Sequence, residues 1–182
     1  MIELLAISGS LRAASTNSAL LASVARNAPP ECRVSIYHGL GLLPIFNPDD
    51  EGERTPGEAA RLIDAVTSAD GIIVSCPEYA HGVPGGMKNA LDWLVSRDAA
   101  VGKPAMLVHA SARSLYARAA LAEIMQTMSF AMYEDTVLEI ALLGRKPPEM
   151  EAILGEDTNR QAMRDAVQGF AGFIRANVAS SS

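Results

Sequence analysis

Residues 9–17 combine the side chains that proteins use to bind a phosphate group. The segment follows an apolar run at residues 2–7, which is typical of a buried strand, and it leads into a helical pattern. Amide groups at a helix N-terminus and the positive end of the helix dipole attract an anion. Hydroxyl and guanidinium donors can add hydrogen bonds; here they are Ser10, Ser15, Thr16 and Arg12. We therefore predict a site for a terminal monophosphate.

A simpler interpretation is that Ser15 or Asn17 only caps the helix. Capping alone does not account for Arg12 or for the second serine. The segment lacks the additional glycines of a G-x-G-x-x-G loop and the lysine of a G-x-x-x-x-G-K-[ST] loop. The pattern is therefore a different phosphate loop from either of these.

A second segment, residues 76–93, can border a flat ligand. Its glycines, at positions 82, 85 and 86, let the backbone approach a ligand closely. Tyr79 can lie against a ring while backbone groups bind the edge of a heterocycle. Taken alone, this segment is equally compatible with a turn followed by an amphipathic helix.

Five strand patterns alternate with five helical patterns and must position these two segments. The strand patterns cover residues 2–7, 33–37, 71–75, 104–109 and 136–142, and the helical patterns cover residues 20–28, 59–66, 84–96, 121–128 and 163–178. This alternation predicts an α/β fold with a doubly wound parallel sheet. Ligands of such sheets bind at the carboxyl ends of the strands, where the loops after strands one, three and four lie.

The length and composition predict one globular domain. The 182 residues are 49% hydrophobic and 20% charged, and we expect a single domain at residues 1–178 with a disordered tail at 179–182. The net charge of −6 and the lack of a basic run argue against nucleic-acid or membrane partners. Neither the two cysteines nor the three histidines have metal-ligand spacing, so we predict no metal. Cysteine usage and the lack of a signal or membrane-spanning pattern predict a cytoplasmic location.

The ordered pair of segments resembles the NAD(P)H-dependent FMN reductase family, which includes chromate, quinone and azo-dye reductases. The matching patterns are G-S-x-R-x-x-S-x-N after strand one and P-E-Y-x-x-G-x-P-G-G-x-K-N-A-x-D-W after strand three, with further similarity at residues 43–49 and 102–104. The resemblance covers most of the chain. It implies a flavodoxin-like sheet of strand order 2-1-3-4-5, FMN as cofactor, NAD(P)H as co-substrate, a small-molecule electron acceptor, and a homodimer or homotetramer.

The resemblance also implies the cofactor-binding residues. The loop after strand one is expected to hold the FMN phosphate, and the loops after strands three and four are expected to border the isoalloxazine, mostly through backbone atoms. The predicted residues are Ser10, Leu11, Arg12, Ser15, Thr16, Asn17, Pro77, Glu78, Tyr79, Ala80, Gly82, Ala110 and Ser111.

The sequence departs from the family in two places. Relatives have a glycine-rich stretch after strand four, whereas residues 109–116 contain no glycine. We expect the bulky Arg113 and Tyr116 to narrow the nicotinamide side of the site. Cys76 stands where relatives often have Thr or Asn, and packing is a commoner role for such a cysteine than redox chemistry. His81 is expected either at the mouth of the flavin pocket or on a solvent-facing loop.

We therefore predict an FMN-dependent reductase. Reduced nicotinamide passes hydride to the flavin and leaves before the acceptor binds, and no side chain is predicted to act as acid, base or nucleophile. Two other functions remain open: a flavodoxin-type electron carrier, and a flavin-supplying subunit of a two-component monooxygenase.

Trp93 lies off the apolar stripe of the helix predicted at residues 84–96. We therefore predict that Trp93 is exposed and anchors a dimer interface built on that helix.

Overall fold

The five strands form one parallel sheet at the centre of the molecule, in which the second strand along the chain is followed by the first, third, fourth and fifth. The structure is a computed structural model and describes residues 1–95 and 97–180. The strands are β1 (Ile2–Ser8), β2 (Cys32–Tyr37), β3 (Gly71–Ser75), β4 (Pro104–His109) and β5 (Ala131–Glu139). The predicted fold class and strand order are confirmed.

Helices cover both faces of the sheet. They are α1 (Thr16–Asn27), α2 (Gly57–Ser68), α3 (Gly85–Asp92), α4 (Leu115–Thr127), α5 (Pro147–Leu154) and α6 (Asp157–Ser180). Successive side chains of a strand point to opposite faces. Leu4 and Ala6 of β1 accordingly pack with α1, α5 and α6, whereas Leu5 and Ile7 pack with α2, α3 and α4.

The predicted bounds agree best in the middle of the sheet, where β3 and β4 match the prediction. The last strand was predicted at residues 136–142, and this was wrong, because β5 begins at Ala131. Its pairing with β4 shifts register between Met106 and Val108, and the exposed Glu134 and Asp135 lie at this irregularity. The two acidic residues interrupt the apolar pattern, so the sequence does not indicate a strand over the first half of β5.

The C-terminal third contains one helix more than predicted. The prediction omitted α5, which has only 8 residues. Helix α6 continues to Ser180, beyond the predicted domain end at residue 178, and Ser181 and Ser182 lie outside the described residues. Within residues 1–95 and 97–180, no helix is both long and apolar enough to cross a membrane.

The prediction that Trp93 is exposed was wrong. Its side chain is fully buried, its ring contacts Phe46 edge-on at a centroid distance of 5.0 Å, and its indole nitrogen donates to the Pro44 carbonyl at 2.9 Å. Helix α3 ends at Asp92, so helical spacing no longer applies at Trp93. The Asn89 side chain donates to the Pro44 carbonyl and accepts from the Phe46 amide. These two bonds hold the segment after β2 over Trp93. Ser96, the last residue of the predicted helix, lies outside the described residues.

Candidate functional site

A cleft of about 450 Å³ lies at the carboxyl edge of the sheet. This volume is within the range of roughly 300–1,000 Å³ that is usual for small-molecule sites. The loops after β1, β3, β4 and β5 contribute its walls. All predicted cofactor-binding residues line the cleft except Leu11, Ala80 and Gly82. The lining residues are Ser10, Arg12, Ala14, Ser15, Thr16, Asn17, Pro77, Glu78, Tyr79, Ala110, Ser111, Arg113, Ser114, Leu143, Gly144 and Arg145.

The loop after β1 is held mainly by hydrogen bonds among its own serines. The Ser8 hydroxyl accepts from the Ser10 amide at 3.3 Å and from the Ser18 hydroxyl at 2.9 Å. The Ser10 hydroxyl accepts from the Arg12 amide at 3.4 Å. These bonds give the loop a fixed path into α1 and leave the Arg12 side chain exposed at the cleft.

The N-terminus of α1 presents positive potential to the cleft. Ser15 is the N-cap, and its hydroxyl oxygen accepts from the Ser18 amide at 3.2 Å. Accepting this bond leaves the hydroxyl proton of Ser15 available for a ligand. The first turn contains no acidic residue that would compensate the helix dipole. The capping interpretation and the anion-binding interpretation of this serine are therefore compatible.

Asn17 fixes the start of α1 against the middle of the sheet. Its side-chain oxygen accepts from the Ser75 hydroxyl at 2.9 Å, and both side chains are buried. The Gly9 amide donates to the Ser75 carbonyl at 2.8 Å. The loops after β1 and β3 consequently keep a defined separation at the floor of the cleft.

Glu78 uses its carboxylate to cap a helix. One carboxylate oxygen accepts from the Ala117 amide at 3.0 Å, in the first turn of α4. The N-cap residue of α4, Ser114, makes no side-chain capping bond. The Glu78 carboxylate is thus directed at α4. This agrees with the prediction that Glu78, which lines the cleft, contacts a ligand through its backbone atoms.

The loop after β3 ends in a tight turn that carries Tyr79 at the cleft. The Tyr79 amide donates to the Gly82 carbonyl at 3.1 Å, and the Gly82 amide donates to the Tyr79 carbonyl at 3.0 Å. Ala80 and His81, between them, have φ angles of 50° and 59°, which are uncommon for residues other than glycine. His81 is exposed, and its ring stacks on that of Tyr116 with centroids 4.4 Å apart.

The glycine-free loop after β4 is fixed by partners from other elements. The Arg118 guanidinium donates to the Ser111 carbonyl at 2.6 Å and forms an ion pair with Glu139 of β5. The Leu142 amide donates to the Ala110 carbonyl at 3.0 Å. The Ser111 hydroxyl accepts from the Arg113 amide at 3.0 Å and closes a local turn. Tertiary contacts therefore define this wall of the cleft.

Sequence reasoning missed the loop after β5. Leu143, Gly144 and Arg145 line the cleft although they lie outside both recognised segments. Gly144 has a φ angle of 80°, which glycine adopts at little cost. A glycine and an arginine directly after the last apolar run, at residues 136–142, were the available signal.

Burial determines the protonation of two side chains near the cleft. Burial and the nearby Arg118 guanidinium lower the pKa of His109 to about 4, although the Glu139 carboxylate acts in the opposite direction. Burial raises the pKa of the Cys76 thiol to about 12. A thiol is nucleophilic or redox-active as the thiolate, so Cys76 is unreactive at neutral pH. This agrees with the packing role expected for Cys76.

The cleft fits FMN in shape and in chemistry. A terminal phosphate can receive donors from the α1 N-terminus, the serine and threonine hydroxyls and Arg12, and none of the described lining residues in the loop after β1 is acidic. A flat ring system can lie between Pro77–Tyr79 and Ala110–Ser111, which present mainly backbone and one aromatic ring. Within the described ranges, no group of three or more His, Cys, Asp or Glu side chains could hold a metal ion. The fold and this cleft define a flavodoxin-like flavoprotein.

The chain belongs to the NADPH-dependent FMN reductase family, whose model matches residues 2–142. It is 31% identical over 153 residues to an NADH:(hydroxy)cinnamate reductase subunit of Vibrio ruber, covering 84% of this chain and 70% of that relative. It is 29% identical over 174 residues to a quinone reductase of Pseudomonas putida, covering 93% and 92% of the two chains.

A solved structure shows the same fold. It is that of the flavoenzyme NAD(P)H:(acceptor) oxidoreductase FerB of Paracoccus denitrificans, with a TM-score of 0.82 and 23% identity over 97% of this chain and 99% of that one. The predicted enzyme class and cofactors are therefore confirmed: the chain is an FMN-dependent oxidoreductase that uses NAD(P)H.

Proposed function

We propose that this reductase passes electrons from NAD(P)H to a quinone. The observation that carries the proposal is that one cleft is lined both by the phosphate donors of the loop after β1 and by Tyr79, half exposed, of the loop after β3. A planar quinone can stack where the nicotinamide ring has stacked before it, because both are flat rings of similar width. The quinone reductase of Pseudomonas putida, which matches nearly the whole chain, supports this acceptor class.

The side chains of the cleft bind and orient FMN. The residues that hold its phosphate are Ser10, Arg12, Ser15, Thr16 and Asn17. Leu11 belongs to the same loop, but its side chain is exposed and does not line the cleft. FMN held there would supply the chemistry of hydride transfer between the nicotinamide and the acceptor.

The loops after β3 and β4 border the isoalloxazine. Pro77, Glu78 and Tyr79 form one side of this part of the cleft, and Ala110 and Ser111 form the other. Ala80 and Gly82 shape the turn that holds Tyr79 in place. Glu78, the one carboxylate among the described residues that line the cleft, already accepts a hydrogen bond from the Ala117 amide. We assign no acid, base or nucleophile to the protein.

The purified protein tests this proposal directly. We expect an oxidised-flavin absorbance spectrum that persists through gel filtration, and steady NAD(P)H oxidation that is faster with a quinone than with chromate, an azo dye or free flavin. Bound flavin without NAD(P)H oxidation would instead identify an electron carrier. Loss of the flavin on gel filtration would identify a flavin-supplying subunit, and a faster rate with another acceptor would replace the quinone.

The proposal includes assembly into a homodimer or homotetramer through the start of α3, without Trp93. Leu11 and Leu42 are exposed apolar side chains. Leu11 lies near Gly41 and Gly86, which places it between the segment after β2 and the first turn of α3. Exposed apolar side chains that cluster in this way mark interaction surfaces.

Light scattering of wild type and of a Leu11→Glu/Leu42→Glu variant tests the interface. We expect a wild-type dimer or tetramer and a folded monomeric variant. A monomeric wild type contradicts the assembly, and unchanged assembly in the variant moves the interface elsewhere.

We also place the protein in the cytoplasm. Cys32 and Cys76 are both free thiols, a state that reducing compartments preserve. Fractionation of cells that produce the full-length native protein, followed by immunodetection, tests this location, and recovery outside the cytoplasm contradicts it.

A further inference from the structure

Three arginines line the cleft, although the protein as a whole carries a net charge of −6. Arg12 belongs to the loop after β1. Arg113 belongs to the loop after β4, and Arg145 to the loop after β5. Because β3 lies between β1 and β4 in the sheet, the loop that carries Arg113 is two strands away from the loop that carries Arg12. The loop that carries Arg145 leads into α5, which packs against α1.

The two loops that carry Arg113 and Arg145 are fixed to each other. The Ala110 carbonyl accepts from the Leu142 amide at 3.0 Å, three residues before each arginine. The Arg145 amide donates to the Leu142 carbonyl at 3.0 Å, and the Arg113 amide donates to the Ser111 hydroxyl at 3.0 Å. Local turns therefore set where both arginine side chains leave the backbone.

Both guanidinium groups are available to a ligand. Among the residues that the structure describes, the Arg113 side chain has no hydrogen bond or ion pair. Arg145 faces Glu149 at 3.9 Å, at the limit of an ion pair, with both side chains about half exposed. The other Glu149 oxygen accepts from the Lys146 amide at 2.8 Å. Such an exposed pair contributes little, so a phosphate can compete for Arg145.

FMN does not account for these two arginines. It carries a single phosphate group, and the loop after β1 already offers that group Arg12, hydroxyls and the α1 N-terminus. The second anionic molecule that this enzyme must admit is the reduced nicotinamide dinucleotide. A ribose separates its phosphates from the nicotinamide ring, so the phosphates can contact side chains away from the ring.

We propose that Arg113 and Arg145 together bind a phosphate of the nicotinamide dinucleotide. Guanidinium groups bind phosphate through paired, charge-assisted hydrogen bonds. The proposal rests on the proposed function, because the nucleotide must enter the same cleft as FMN. Both the pyrophosphate and the 2′-phosphate of NADPH have this chemistry, and comparison of the two nucleotides distinguishes them.

The test measures nucleotide binding without turnover. Oxidised NADP⁺ and NAD⁺ are titrated into the FMN-loaded protein, and binding is followed calorimetrically and by the change in the flavin spectrum. The variants are Arg113→Gln, Arg145→Gln and the double variant. Arg164→Gln is the matched control, because Arg164 is exposed on α6 and does not line the cleft. The Kd for FMN and for riboflavin is measured in every variant.

We expect the double variant to bind NADP⁺ roughly 10- to 150-fold more weakly, the range for losing a charged hydrogen bond, with Arg164→Gln unchanged. Selective loss of NADP⁺ binding assigns the arginines to the 2′-phosphate, and equal loss of NAD⁺ binding assigns them to the pyrophosphate. Unchanged binding of both nucleotides overturns the proposal. So does weakened FMN binding with unchanged riboflavin binding, because the arginines would then hold the FMN phosphate.

The wild-type protein separates this failure from failure of the proposed function. A wild type that binds neither nucleotide and oxidises neither reduced form contradicts both proposals. A wild type that reduces quinone with NAD(P)H, beside a double variant with unchanged nucleotide binding, contradicts only the role of Arg113 and Arg145.

Discussion

The loop after β1 and the loop after β4 form opposite walls of one cleft but are held in different ways. The first is ordered by its neighbours in sequence, since the hydrogen bonds among Ser8, Ser10, Ser15 and Ser18 all lie within residues 8–18. The second is ordered from a distance. Glu139 holds the Arg118 that binds Ser111, and the Leu142 amide binds the Ala110 carbonyl. A glycine-rich conformation is therefore not required after β4, because tertiary partners impose the path of the loop.

The largest expected effect is a pH dependence of the free energy of unfolding that arises at the wall formed after β4 and not at the wall formed after β1. The pKa of His109, at the end of β4, is depressed to about 4 by burial and Arg118, against about 6.5 in the unfolded chain. Between these two pH values the unfolded chain binds more protons than the folded protein. The contribution of His109 to the free energy of unfolding is therefore fully present above pH 6.5 and is lost as the pH falls to 4. The difference corresponds to up to about 3 kcal/mol.

Urea unfolding of wild type and of His109→Gln, from pH 7.5 to pH 4, checks this pH dependence. The variant is expected to lose less free energy of unfolding over that range, because only the wild type contains this histidine. Equal losses in both proteins would show that His109 does not disfavour protonation in the folded state.

Packing behind the loop after β1 is the next effect. A Cβ added at Gly9 would lie 2.6 Å from the Cys76 sulfur. We expect Gly9→Ala to lower the free energy of unfolding by about 1–3 kcal/mol through overpacking. In the Cys76→Ala background the same change should cost much less, which a double-mutant cycle by chemical denaturation measures. No coupling between the two sites would mean that the contact relaxes freely.

Removing the Arg118 guanidinium tests whether distant partners order the loop after β4. Arg118→Met leaves the Glu139 carboxylate and the Ser111 carbonyl without their partner. We expect a loss of about 1–2 kcal/mol of unfolding free energy, because the pair is partly exposed. The pKa of His109, followed by NMR, should rise in this variant, because the nearby positive charge is gone. An unchanged His109 pKa would contradict this coupling.

The smallest effect concerns the N-cap of α1. Ser15→Ala removes the acceptor for the Ser18 amide and should cost about 1 kcal/mol of unfolding free energy. The matched variant Ser15→Thr retains a capping oxygen and should recover most of the loss. Thermal and urea unfolding measure both, and equal losses in the two variants would exclude capping as the cause.

The same contrast explains what the sequence could predict. The alternation of strands and helices and the loop after β1 were predictable because they depend on local patterns: buried apolar runs such as β3, and hydroxyls grouped at a helix start. The strand order was predicted from the resemblance to the reductase family. Trp93 was not predictable from helical spacing, because α3 ends one residue earlier and Pro44, 49 residues away, covers the ring. The start of β5 was hidden because its pairing with β4 changes register at two acidic residues. Arg145 was missed because only the tertiary fold brings the loop after β5 to the cleft.

The central claim is that the loop after β1 holds the FMN phosphate through Arg12. Titration calorimetry of flavin-free wild type and of Arg12→Ala, each with FMN and with riboflavin, tests it most directly. Riboflavin lacks the phosphate and serves as the internal control. The account predicts that Arg12→Ala weakens FMN binding by about 1.5–3 kcal/mol and leaves riboflavin binding unchanged. Equal loss of affinity for FMN and riboflavin would contradict it.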